Sequence, residues 1–419
     1  MVVVGAFIVI AVILFAQSGG SGVSKTNLTI WGSLSSYDFR ELVSTATQLK
    51  DGTVTYNYVE KSESTLSKDF TDALAVGKGP DLIILGVDSV MSESEKLMLI
   101  PNESVKPADY ASTFIKEAEL FQTPLGTYAL PLYVDPMVMY WNREMFAKAS
   151  LAVPPVYWDQ IYTYITKLTT KDGAGNVIQS AMALGEAKNI PHVKEIMTLL
   201  LLQAGTPVTI SSGESLRSTL LESTGGAQIP SFSALEFYTQ FANPQKSYYS
   251  WNRSQVSAEN HFTSGKSGMY LGFASELPIL KAKNPTMDIG VSPVPQSRAS
   301  GKSITAGKLF GIALVRSTRD PAGAILGALA LVSNESVSVL TKITPVIPAR
   351  RDLLSLTPTD PAGFTFYGAA LQSAWWRDPE PKETRKIFVE MVEAVTSGRA
   401  RVDEAVSTAN TALNNLLEK

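Results

Sequence analysis

Two short runs in this 419-residue chain end as a phosphate-binding loop ends: Gly265-Lys266-Ser267 and Gly301-Lys302-Ser303. Such a loop needs an earlier glycine at the head of the pattern, so that successive backbone N–H groups can wrap a phosphate. The positions where it would stand hold Asn260 and Gln296, so neither run forms that cradle. Asp172 to Asn176 has the flavour of a calcium loop but lacks the later glutamate. There is no cysteine, and His192 and His261 are the two histidines. Thiolate nucleophiles, disulfides and ordinary zinc sites therefore drop out, and no metal is expected. The 39 Asp and Glu residues include no pair marked out for acid–base work on a glycosidic bond. With 36 Lys and Arg the net charge is −3, so no basic field points to nucleic acid or an anionic membrane surface. What remains is recognition chemistry, built from aromatic faces and polar side chains.

The elements that must position such groups read as alternating strand and helix. Leu28 to Gly32 is a short apolar strand ending in a turn. Asp38 to Leu49 has helical spacing, Val54 to Val59 is β-branched and aromatic, and Leu66 to Val76 is a helix stopped by Gly77-Lys78-Gly79-Pro80. Asp81 to Leu85 is a continuous apolar run of the kind found inside parallel sheets, with Asp81 bracing its turn. This order is the doubly wound α/β pattern. Tyr128 to Pro131 is extended. Trp158 to Leu168 is a helix with Trp158, Ile161, Ile165 and Leu168 on one face. A turn at 171–176 precedes a mainly helical region reaching about Tyr249. Ser267 to Phe273, Ile289 to Val294 and Gly311 to Val315 are strands. Ala322 to Val339 is one helix, and Thr384 to Leu417 is almost wholly helical.

At the start, residues 1–17 are apolar almost throughout, and 18–26 form a flexible Gly/Ser-rich linker. The apolar run is expected to be a membrane anchor, with a cleaved signal segment as the alternative.

Four pieces of sequence resemble the family 1 extracellular solute-binding proteins of ABC importers, the group that includes maltodextrin-binding protein. They are Gly79-Pro80-Asp81-Leu82-Ile83; Gly126 to Pro131 followed by Met139 to Phe146; Phe262 to Met269; and Pro345 to Arg350 followed by Ser373-Ala374-Trp375-Trp376. Their order and spacing match the family over nearly the whole chain after the linker. Gly268 stands where the family usually has alanine, and Trp141 where it commonly has tyrosine.

The resemblance implies a periplasmic-binding-protein-like type II fold: two doubly wound α/β lobes joined by a multi-strand hinge. It puts 27–132 and 303–348 in lobe 1, and 133–302 and 349–419 in lobe 2. The crossings fall near 130–135, 300–305 and 347–350. It implies an extracytoplasmic receptor that closes on a small carbohydrate between its lobes and hands it to permease subunits. The protein would act as a monomer, with no cofactor and no catalysis.

A sugar site needs flat faces for the ring and polar groups for the hydroxyls. Candidates follow the relevant strands: Trp31 and Ser33 after the first, Asp88 after the third, Tyr133 and Asp135 at the first crossing, Phe273 and Glu276 after the 267–273 strand, Lys308 and Phe310 after the second crossing, and Trp375 with Trp376. Plain structural readings stand beside these. Trp31 ends a buried strand and can be core. Adjacent Trp375 and Trp376 cannot share a direction, so at least one is packing or surface. Tyr140 and Trp141 read as core, Asp135 as a hinge brace, Tyr248, Tyr249 and Trp251 as packing, and His261 receives no ligand role. Other functions compatible with the chain are a secreted glycoside hydrolase, a tethered sensory module without a transporter, and a receptor for peptides rather than sugars.

Overall fold

The computed structural model describes residues 25–50, 52–212, 215–223 and 228–418. The expected anchor at 1–17 and nearly all of the linker lie outside the described residues. The linker's last residue, Thr26, opens the first strand, Thr26–Gly32. Among the described residues no single helix is both long and apolar enough to cross a membrane.

The chain forms two compact units. Among the described residues, one comprises those up to Asp135 together with Lys308–Thr357, and the other those between Pro136 and Gly307 and from Pro358 onward. The first two changes of unit fall inside the long strands Ala129–Asn142 and Thr305–Val315, so both are made by extended chain. The third, at Thr357/Pro358, comes later than the crossing expected at 347–350. Ile347 and Pro348 pair with Val134 and Tyr133, which keeps them in the first unit's sheet.

In the first unit the strands Val54–Glu60, Thr26–Gly32 and Leu82–Gly86 lie side by side in parallel. The later half of Thr305–Val315 pairs antiparallel with Leu82–Gly86. Leu28, Ile30 and Leu82 to Leu85 are all buried, as continuous apolar runs in a sheet covered on both faces must be. Asp81 braces this sheet: its carboxylate accepts the Thr29 N–H at 2.9 Å and the Thr318 hydroxyl at 2.7 Å. The single helix expected from 322 to 339 is two, Pro321–Leu331 and Asn334–Ile343, bent by 59°. Ser333 makes the break, because its hydroxyl caps the second helix at Ser336 N–H. The expected 38–49 helix likewise ends at Thr45 and resumes at Thr47. Gly327 lets the first of the bent helices lie against the sheet, since a Cβ there would meet Leu28 Cδ1 at 2.4 Å.

In the second unit Ser267–Phe273 pairs antiparallel with the later half of Ala129–Asn142 and parallel with Val177–Met182. Ile289–Ser292 joins on the other edge of the long strand. The helix Val193–Gln203 is buried on nearly every side, so its apolar residues run all round it rather than in a stripe. Trp158, Ile161, Ile165 and Leu168 are buried together as their spacing requires. Trp158 belongs to a short 3-10 turn leading into the helix Ile161–Leu168. A hairpin, Thr209–Ser212 with Ser215–Ser218, interrupts the region read as mainly helical.

Candidate functional site

The first unit gathers five of the expected residues into one cluster. Phe310 is the register partner of Gly86, and its ring stacks on Tyr133 at 4.8 Å with 23° between planes. The Tyr133 hydroxyl hydrogen-bonds with Ser33. Asp88 folds back over Gly86: a Cβ at Gly86 would lie 2.5 Å from Asp88 Oδ1 and 3.8 Å from Phe310 Cε1. Glycine is needed there for this close approach, not for its backbone angles, since its φ is −74°. Asp135 bears on the same cluster through its charge. Burial pushes the Tyr133 phenol far up, the Ser33 bond opposes that, and the charges of Glu63 and Asp135 add to it. Tyr133 therefore stays protonated.

Lys308 lies two residues before Phe310 on the same strand, so the two share a face. Both Lys308 and Asp135 are half-buried. Trp31 is 8% exposed, and the Lys61 ammonium sits 4.3 Å from its ring centroid. Its flat face is thus met by a cation from its own unit. Tyr58 is a neighbour that sequence reasoning missed. It stacks on Phe39 at 4.2 Å and donates to Leu34 O at 2.7 Å; burial first, and then the charge of neighbouring Tyr133, push its phenol far up. The alternation of Tyr56 and Tyr58 in its strand was the available signal.

In the second unit Phe273 closes its strand, 2% exposed, with the His192 ring edge-on at 5.1 Å. Glu276 is saturated by its own unit. Oε1 accepts Phe273 N–H at 2.7 Å and His192 Nε2–H at 2.9 Å, and Oε2 accepts the Tyr270 hydroxyl at 2.6 Å. Burial alone would raise this carboxyl, but the bond and charge of His192 and the other two donors hold it below its ordinary range. The group thus stays ionised and fixes the His192 ring.

Trp375 and Trp376 are both buried, with ring centroids 6.5 Å apart and planes 30° apart. The expected divergence does not occur, because the short strand Ser373–Ala374 ends before them and strand alternation no longer applies. The Lys194 ammonium lies 5.8 Å from each ring. It is also paired with Asp378 and donates to Thr384 Oγ1 at 2.8 Å and Pro381 O at 3.2 Å. His192 and Lys194 stand at the start of one helix, so the Phe273 and tryptophan groups adjoin. No pattern in the sequence singled out either residue. Tyr140 is core, fully buried and donating to Phe273 O at 2.6 Å; Trp251 is fully buried as well.

Both clusters present aromatic faces interleaved with hydroxyl, imidazole and carboxylate groups. The rings themselves are largely buried.

A model of the bacterial extracellular solute-binding proteins matches residues 41–364. A binding protein of Brucella abortus (strain 2308) is 23% identical over 168 residues, which are 39% of this chain and 40% of that protein. The match thus spans about two fifths of that relative's own length. Among solved structures, a cyclo/maltodextrin-binding protein complexed with maltotetraose superposes with a TM-score of 0.74 at 16% identity, covering 95% of this chain and 98% of the other. The cyclic alpha-maltosyl-1,6-maltose binding protein of Arthrobacter globiformis gives 0.76 at 16% identity, covering 94% and 100%. These likenesses establish the type of fold: mixed α/β, with the two-lobed periplasmic-binding-protein-like architecture.

Proposed function

The chain belongs to the bacterial extracellular solute-binding proteins, and from that premise we propose that it is the substrate-binding receptor of an ABC importer, with a carbohydrate as its cargo. The match of the family model over most of the chain carries the reading. Two supporting points concern the cargo: solved structures of the same fold are named for cyclo/maltodextrin and for cyclic alpha-maltosyl-1,6-maltose, and aromatic faces stand beside hydroxyl and carboxylate groups in each unit.

In this reading Tyr133 and Phe310 offer the first unit's aromatic surface, with Ser33, Asp88, Asp135 and Lys308 as polar contacts and Trp31 at the margin. Phe273, Trp375 and Trp376 serve the second unit, and Glu276 works through His192. Contacts from both units select a closed form by differential affinity, and permease subunits read that form. The protein works extracytoplasmically as a monomer, held by residues 1–17, and acts by binding rather than by catalysis.

Thermal unfolding of residues 25–419 against mono- and oligosaccharides, amino acids and short peptides tests this. A ligand at a hundredfold excess over its Kd stabilises by about 2.7 kcal/mol. At roughly 2–4 °C per kcal/mol the midpoint rises by about 5–10 °C. A rise confined to one carbohydrate class is expected. A rise with peptides or amino acids alone replaces the cargo, and turnover of a glycan overturns the receptor reading.

A further inference from the structure

The second unit carries a pocket of about 470 Å³ whose lining shares no residue with the clusters above; Val177, Ile178, Gln255, Val256, His261 and Lys266 are among its walls. His261 is 2% exposed, and neither ring nitrogen has a hydrogen-bond partner. Buried polar atoms left unpaired are rare in native proteins, and a missing ion or ligand is one standard reason for them. The neighbouring Trp251 ring, edge-on at 4.9 Å, supplies no acceptor, and its own N–H is spent on Asn189 Oδ1 at 3.0 Å.

The pocket has a consistent electrical character. Lys266 is exposed at its rim, with no ion pair among the described residues. Burial first, and then the Lys266 charge, hold the His261 imidazole down at about 4. The lining contains no acid. The nearest one on the same helix, Glu259, is tied to Lys283 at 2.8 Å, and Lys283 also donates to Asn260 Oδ1 at 3.0 Å. Gln255 spends its amide N–H on Val177 O at 2.8 Å. The Ser264 hydroxyl donates to His261 O at 2.9 Å; Val177, Ile178 and Val256 make the aliphatic walls, and Ile178 and Val256 leave more than half of their surface to solvent.

We propose that this pocket is a second binding site, which takes a small carboxylate carrying a short aliphatic chain. The carboxylate sits on the Lys266 ammonium at the rim, close enough for its charge to reach the enclosed His261 ring, and the chain lies on Val177, Ile178 and Val256. An inorganic anion would use the charge and leave the aliphatic walls bare, so the chain sets the preference. The inference is independent of the cargo in the proposed function.

The two histidines make the test direct. Ring signals of His261 and His192 are followed by NMR in the histidine-labelled protein, assigned with His261→Gln and His192→Gln, while sodium butyrate is titrated against sodium chloride at equal ionic strength. The expected result is a saturable movement of the His261 signals with His192 still, and a rise in the His261 titration midpoint. Acetate should bind roughly tenfold more weakly for its two missing methylenes. Lys266→Ala should weaken butyrate at least several-fold with an unchanged thermal midpoint. A His261 response no larger than that of chloride, a response at His192 alone, or a response untouched by Lys266→Ala overturns the site.

Discussion

Replacing His261 by phenylalanine should make the protein more resistant to acid. The imidazole is 2% exposed and titrates at about 4 in the folded chain, chiefly through burial and secondarily through Lys266. In the unfolded chain it titrates near 6.5. The folded state therefore refuses a proton that the unfolded state accepts. The stability this confers is complete above about pH 6.5 and is lost as pH falls from there toward 4. Integrated from pH 7 to about pH 4.5, the loss is about 2 kcal/mol. At roughly 2–4 °C per kcal/mol that is about 4–8 °C in Tm. Glu276 and Asp352, whose carboxyls are held low, lose their own contributions on acidification, but they do so equally in both proteins. The assay is the Tm of wild type and His261→Phe across this range. The difference should move in the variant's favour by about 4–8 °C between neutral pH and about pH 4.5. A difference that stays flat with pH means the imidazole titrates alike in both states and refutes the reasoning.

Three further outcomes follow from the geometry. Lys194→Met takes the counter-charge from the buried Asp378 carboxylate, 0% exposed, and should cost about 3–5 kcal/mol in urea denaturation; adding Asp378→Leu should recover most of it, and a double variant no better than the single contradicts the pairing. Glu276→Ala leaves the Tyr270 hydroxyl, Phe273 N–H and His192 N–H without their acceptor, a loss of about 3 kcal/mol by the same measurement. Gly86→Ala should fold normally but displace the Asp88 carboxylate 2.5 Å from the new Cβ, weakening cargo about tenfold by calorimetry, or about 1.4 kcal/mol; unchanged affinity removes Asp88 from the site.

Much of the architecture was legible because it rests on local signals. The apolar run 82–85 could only be a buried strand, and the helical face of Trp158, Ile161, Ile165 and Leu168 is buried as its spacing demands. Where local signals misled, a nearby group had redirected the chain. Ser333 caps a new helix inside a continuous apolar pattern, and the short strand Ser373–Ala374 stops before either tryptophan, so alternation governs neither.

The candidate site divides in the same way. Ser33 and Asp88 could be named because groups just past strand ends lie at the edge of a sheet, whereas Tyr133 and Phe310 were named from the expected crossings and lie inside long strands. That Tyr133 stacks on Phe310 and bonds Ser33, that Glu276 is consumed by His192, Tyr270 and Phe273, and that both tryptophans face one lysine could not. Periodicity fixes the side of an element on which a residue lies, because it depends on neighbours in the chain. Which group that residue meets depends on elements far away in sequence. His192 and His261 show this most plainly: two lone histidines with nothing local to tell them apart, one bound to a carboxylate and the other enclosed with neither nitrogen answered.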